Sequence, residues 1–144
     1  MDELQRALKI AFASEYAFAL KAQNFHWNVE GPLFPQLHTL FETIYTEVYG
    51  SIDTFAENIR KTGAYTPASF QRFSMLTLVD DETQILPAES MVLELLEDST
   101  KMSEMFQIVF RAAEELGEHG ISNFLADRQD AHQKHSWMLR STLK

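Results

Sequence analysis

Residues 34–61 read FPQLHTLFETIYTEVYGSIDTFAENIRK, and this stretch decides the fold. Its apolar positions, Leu37, Phe41, Ile44, Val48, Ile52, Phe55 and Ile59, recur at intervals of three and four residues. At ~100° per residue they fall within an arc of about 80°, the single apolar stripe of a helix that packs one face into a core. Three further runs, roughly 3–29, 88–116 and 120–142, carry the same i, i+3, i+4, i+7 pattern. The breaks between runs coincide with the scarce Gly (five) and Pro (four): Gly31-Pro32, Gly63 to Pro67, Pro87, and Gly117 to Gly120.

A helix of about 27 residues is about 40 Å long, so runs joined by a few residues must return antiparallel. That holds for the first and second runs and for the third and fourth. The second and third are separated by about 25 residues, Ala64 to Ala88, enough to travel the length of a bundle and set those two helices parallel. The expected architecture is an all-α, single-domain four-helix bundle over residues 1–144 with one long crossover. Within the crossover, Ser69 to Leu78 is expected to form a short helix capped by Ser69.

The composition narrows the function. A chain of 144 residues with 45% hydrophobic and 23% charged residues is a folded domain and not a disordered one. No apolar stretch reaches the ~20 residues of a membrane span, and the N-terminus lacks a basic segment followed by an apolar one. Membrane insertion and secretion are therefore not expected, and the cytoplasm is the expected compartment. With no Cys, any metal must be held by nitrogen and oxygen. Twelve Lys and Arg against twenty-one Asp and Glu give a formal charge of −9. Such a surface repels a phosphate backbone and attracts cations.

The chemistry sits beside the apolar stripe of the second run. His38 and Glu42 form one i,i+4 pair and Asp53 and Glu57 another. With His38 at 0°, Glu42 lies near 40°, Asp53 near 60° and Glu57 near 100°, so all four share a face with Tyr45 and Tyr49. The centres of the pairs are 15 residues apart, about 22 Å, whereas metal ligands sit ~2 Å from their ion. One helix cannot close that gap. Two copies crossing antiparallel near Glu47 and Val48 can, which predicts a site shared between subunits and present twice per dimer. His26, in Asn24-Phe25-His26-Trp27-Asn28, stands near the first turn at a height comparable with His38 and is a third candidate donor.

The di-iron signature of carboxylate bundles, Glu-x-x-His, is absent. The residues three before His26, His38, His119, His132 and His135 are Gln23, Pro35, Leu116, Gln129 and His132. His119, His132 and His135 are read as surface or interface residues, the methionines from Met91 to Met105 as core filling, and Trp27, Tyr45 and Tyr49 as core or interface aromatics placed to intercept stray oxidising equivalents.

Taken together, His26-Trp27-Asn28-Val29 with Gly31, Leu37-His38, Glu42, Asp53 with Ala56-Glu57 and Arg60, then Leu125 to His132 and Lys134 to Arg140, resemble the miniferritins, the DNA-binding proteins from starved cells. The resemblance covers nearly all of the chain. It implies a ferritin-like bundle assembled as a homo-oligomer, a dodecameric shell with iron-oxidising sites at its twofold interfaces. There His26, His38 and Glu42 of one subunit and Asp53 and Glu57 of its neighbour would hold two irons. It further implies oxidation of Fe(II), preferentially by hydrogen peroxide, and storage of Fe(III) as an oxide. Where the family lines its iron-entry pores with acids, the approximate match gives Asn123, with Asp127 one turn along. Relatives that bind DNA directly carry a Lys-rich terminal arm that this sequence lacks, so direct DNA binding is not expected. A nucleoid-compacting module would show salt-sensitive DNA retention, and a purely structural cage would leave Fe(II) unoxidised.

Overall fold

The computed structural model describes residues 1–144 and contains five helices: α1 (Asp2–Asn28), α2 (Phe34–Lys61), α3 (Phe70–Leu76), α4 (Ala88–Glu115) and α5 (His119–Thr142). The four long ones correspond to the four periodic runs. Aromatic pairs fix their register. Phe25 meets Phe41 near the first turn and Phe12 meets Phe55 at the far end, so α1 and α2 run antiparallel. Phe55 also touches Phe106 of α4 and Phe124 of α5. The core closes around these rings, with Leu37, Phe41, Ile44, Val48, Phe55 and Ile59 of α2 buried and Met91, Met102 and Met105 filling the α4 side.

The turns follow from local chemistry. Helix α4 ends where Gly117 adopts φ +72°, a left-handed conformation that costs a residue without Cβ little. Glu118 N–H then donates to Ala113 O at 2.9 Å and Gly117 N–H to Glu114 O at 3.0 Å, which satisfies two end carbonyls and reverses the chain into α5. The turn from α1 to α2 similarly uses Gly31 at φ +112°.

The long crossover makes α2 and α4 parallel. Ser69 caps the short α3, its Oγ accepting from Arg72 N–H at 3.2 Å. Phe73 of that helix stacks on Tyr16 and packs edge-on to Phe12. The buried Ser14 hydroxyl donates to Ile10 O at 2.8 Å and accepts from Leu78 N–H at 2.9 Å, pinning the crossover to α1. No helix is long and apolar enough to cross a membrane.

Candidate metal centre

His26 ends α1 and His38 lies in the second turn of α2, and the tight turn between them brings their imidazoles into contact. The rings stack 3.8 Å apart at 15° between planes. His26 Nδ1 donates to His38 O at 2.7 Å, and His38 Nδ1 donates to His26 O at 2.8 Å. A carbonyl oxygen can only accept, so each Nδ1 carries its proton and the metal-binding lone pair of each neutral ring is left on Nε2. The tautomer of both rings is thus set by backbone, which does not titrate. Phe34 stacks against the outer face of His38 at 5.0 Å, and Tyr45 meets His26 edge-on at 5.3 Å. His26 is buried, His38 is half-buried, and Glu42, one turn further along α2, is exposed.

Asp53 and Glu57 occupy the other half of α2, both exposed, with Arg60 just beyond. Arg60 is committed elsewhere, donating to Ala64 O at 2.9 Å and lying over the Tyr65 ring at 4.6 Å. Within one chain the structure brings His26 and His38 together and leaves Asp53 and Glu57 about 22 Å away along the helix. No group of three or more His, Asp or Glu side chains in the single chain converges on a possible metal position. Tyr45 and Tyr49 form an edge-to-face ladder beside the histidines, continued by Tyr16. Burial raises the Tyr49 hydroxyl pKa, with Tyr16 and Tyr45 adding to the effect. Trp27 is not a core residue, being 61% exposed. Asn123 and Asp127 are both exposed on α5.

Two expectations require correction. His119 is exposed, but His132 and His135 lie in the bundle interior. His132 Nε2 reaches Glu15 at 2.6 Å and His135 Nε2 reaches Glu47 at 2.8 Å, while Arg128 bonds both carboxylates. Burying two carboxylates costs several kcal/mol each unless they are paired, and these imidazoles belong to that pairing. A signal was available in the sequence. Ile121, Leu125, Arg128, His132, His135 and Leu139 share an arc of about 80°, so the polar residues interrupt the core stripe of α5.

Burial alone would raise the Glu15 carboxyl, but His132 and Arg128 hold it below the ordinary 4.5. Burial likewise opposes ionisation of Glu47, whose hydrogen bonds to His135 and Arg128 nevertheless lower it to about 2. His135 is pushed down from 6.5, first by burial, with the nearby His132 and Arg128 acting in the same direction.

Among known proteins, residues 5–144 match the ferritin-like domain family. The DNA protection during starvation protein of Brevibacillus brevis is 31% identical over 125 residues, covering 87% of this chain and 84% of that one. Dps from Thermosynechococcus elongatus superposes with a TM-score of 0.96 at 26% identity, covering 99% of this chain and 91% of the other. A Dps protein of Vibrio cholerae, described as belonging to a broad superfamily of ferritin-like diiron-carboxylate proteins, superposes at 0.94 with 28% identity, over 99% of this chain and 90% of its own.

Proposed function

Because this chain belongs to the Dps family of ferritin-like proteins, we propose that it is a ferroxidase that oxidises Fe(II) with hydrogen peroxide between subunits and stores the Fe(III) inside a dodecameric shell. His26, His38 and Glu42 of one subunit form half of each site, and Asp53 and Glu57 of the neighbour form the other half. The observation that carries this reading is the reciprocal bonding of His26 and His38, which leaves two Nε2 lone pairs ready for a metal beside an exposed carboxylate.

Fe(II) is the substrate. Imidazole and carboxylate both suit it, and two carboxylates from the partner supply the negative charge needed by two irons at close range. Five protein donors shared by two ions leave positions for the oxidant. Two Fe(II) give up one electron each, hydrogen peroxide takes both with two protons, its O–O bond breaks, and two waters form without a free hydroxyl radical. Each chain carries −9, so a shell of twelve holds on the order of a hundred negative charges and draws Fe(II) toward itself. On this reading DNA is protected by removal of the two reactants of radical formation, and the acidic surface needs no contact with a phosphate backbone.

Anaerobic loading of the assembled protein followed by peroxide titration tests the proposal. Fe(II) and peroxide should be consumed in a ratio of about two to one. Asp53→Ala with Glu57→Ala should abolish the fast oxidation while gel filtration still shows the shell. Normal turnover in that assembled double variant would refute the site.

A further inference from the structure

The centre of the bundle holds a second concentration of charge that takes no part in the site between subunits. Glu15 of α1, Glu47 of α2, and His132 and His135 of α5 face one another there. Two carboxylates and two imidazoles on facing helices are the donor types with which helical bundles hold metals in their interiors. What lies among them here is a guanidinium. Arg128 Nε donates to Glu15 Oε2 at 2.9 Å, and its Nη1 and Nη2 donate to Glu47 Oε2 and Oε1 at 2.5 and 3.0 Å. The second Glu15 oxygen accepts from His132 Nε2 at 2.6 Å, and Glu47 Oε1 also accepts from His135 Nε2 at 2.8 Å.

Each part of this arrangement suits a fixed organic cation. Both histidines turn proton-bearing Nε2 atoms toward carboxylates, whereas a metal ligand presents a lone pair. The planar fork of Arg128 satisfies three carboxylate oxygens at once, which a lysine ammonium could not do in the same geometry. Nδ1 of His135 is buried without a partner, a nitrogen lone pair left over while the Glu47 oxygens are occupied by Arg128. Glu15, Arg128, His132 and His135 are all buried, and only Glu47 reaches solvent.

We propose that Arg128 is the built-in cation of an internal cage: it fills the space in which Glu15, Glu47, His132 and His135 would otherwise take a divalent transition metal, and so closes the bundle interior to Fe(II). The cage itself is independent of the oxidation site proposed above, and only its consequence for the route of iron rests on that reading.

Co(II), whose visible absorption reports nitrogen and oxygen coordination, is the probe. The assembled His26→Ala/His38→Ala/Asp53→Ala/Glu57→Ala protein serves as background, so that neither half of the site between subunits offers its imidazoles or paired carboxylates to Co(II) and no iron oxidation is read. Adding Arg128→Ala should create uptake of about one Co(II) per chain, with visible bands and a rise of several degrees in the thermal midpoint. Adding His132→Ala as well should remove both signals, and the background alone should show neither. If Arg128→Ala gives no folded shell with or without Co(II), Arg128→Gln takes its place. A folded variant with no Co(II) uptake beyond the background would overturn the proposal. So would failure of both variants to fold in the presence of Co(II), because the interior would then require a guanidinium and not merely a cation.

Discussion

His26 and His38 hold each other through their backbones, each Nδ1 donating to the other's carbonyl, at 2.7 and 2.8 Å. The orientation of either ring therefore depends on the presence of the other residue's helix end, and their stacking at 3.8 Å makes them one unit. Substitution by Ala keeps the carbonyl that orients the other ring, but it removes that ring's stacking partner and one donor of the same proposed two-iron site. His26→Ala and His38→Ala should each slow Fe(II) oxidation by about 100-fold, and the double variant should be scarcely slower than either single one. Stopped-flow measurement of the three variants checks this, and losses that multiply would show that the rings act independently.

If the site is assembled from two chains as proposed, it can be rebuilt from two defective ones. Shells of His26→Ala/His38→Ala chains and shells of Asp53→Ala/Glu57→Ala chains should each be inactive. Reassembled from an equal mixture, half of the twofold pairs are hybrid and each hybrid contains one intact site, so about a quarter of the parent rate should return. No recovery from mixed shells that gel filtration and mass analysis show to be hybrid would place all the donors in one chain.

Acid should act on the bundle interior in two stages. Glu15 and Glu47 have lowered pKa values in the folded protein, Glu47 at about 2 against an ordinary 4.5, and His135 is lowered from 6.5. A group with a lowered folded-state pKa stabilises the fold above its ordinary pKa and loses that contribution as pH falls toward the folded value. Denaturation midpoints should decline as pH drops below 6.5 through His135, then more steeply below 4.5 through the carboxylates. Asp98 and Glu94, raised chiefly by burial, offset part of the fall. Glu47→Gln should start less stable at neutral pH and decline less steeply between 4.5 and 2. Parallel curves for the two proteins would contradict this account.

Ser14 makes one of the hydrogen bonds that fasten the crossover to the bundle. Ser14 Oγ accepts from Leu78 N–H at 2.9 Å in a buried setting, so Ser14→Ala leaves that amide unpaired at a cost of about 1–3 kcal/mol. The loss should be local, and limited proteolysis between Thr62 and Pro87 should accelerate more than global unfolding does. Unchanged cleavage would show that the remaining contacts, Phe73 packing and the Asn24–Glu82 and Thr66–Ala56 hydrogen bonds among them, suffice to hold the segment.

The four long helices were legible because their apolar residues keep one period through each run, and the capped α3 because Ser69 precedes a short amphipathic stretch. The separation of His38/Glu42 from Asp53/Glu57 was legible for the same reason, since residue spacing on one helix is a length. The inward position of His132 and His135 was legible only through the stripe they share with Ile121, Leu125 and Leu139, and their partners were not legible at all, because a histidine carries no fixed preference for core or surface. What places it inside is a countercharge on another helix, Glu15 or Glu47, and nothing in the spacing within α5 reports a partner more than 80 residues away. The mutual carbonyl bonds of His26 and His38 were equally hidden, because they depend on how the Gly31 turn aligns two helix ends.

The division of α2 into an imidazole end and a carboxylate end has a consequence for when the chemistry can start. A newly made chain bears half a centre at each end of one helix and no complete one. On the proposed pairing it is inert toward peroxide until it finds its neighbour. Reactive iron is then handled only by chains that have already paired, and that order in time is secured by geometry, without any regulator.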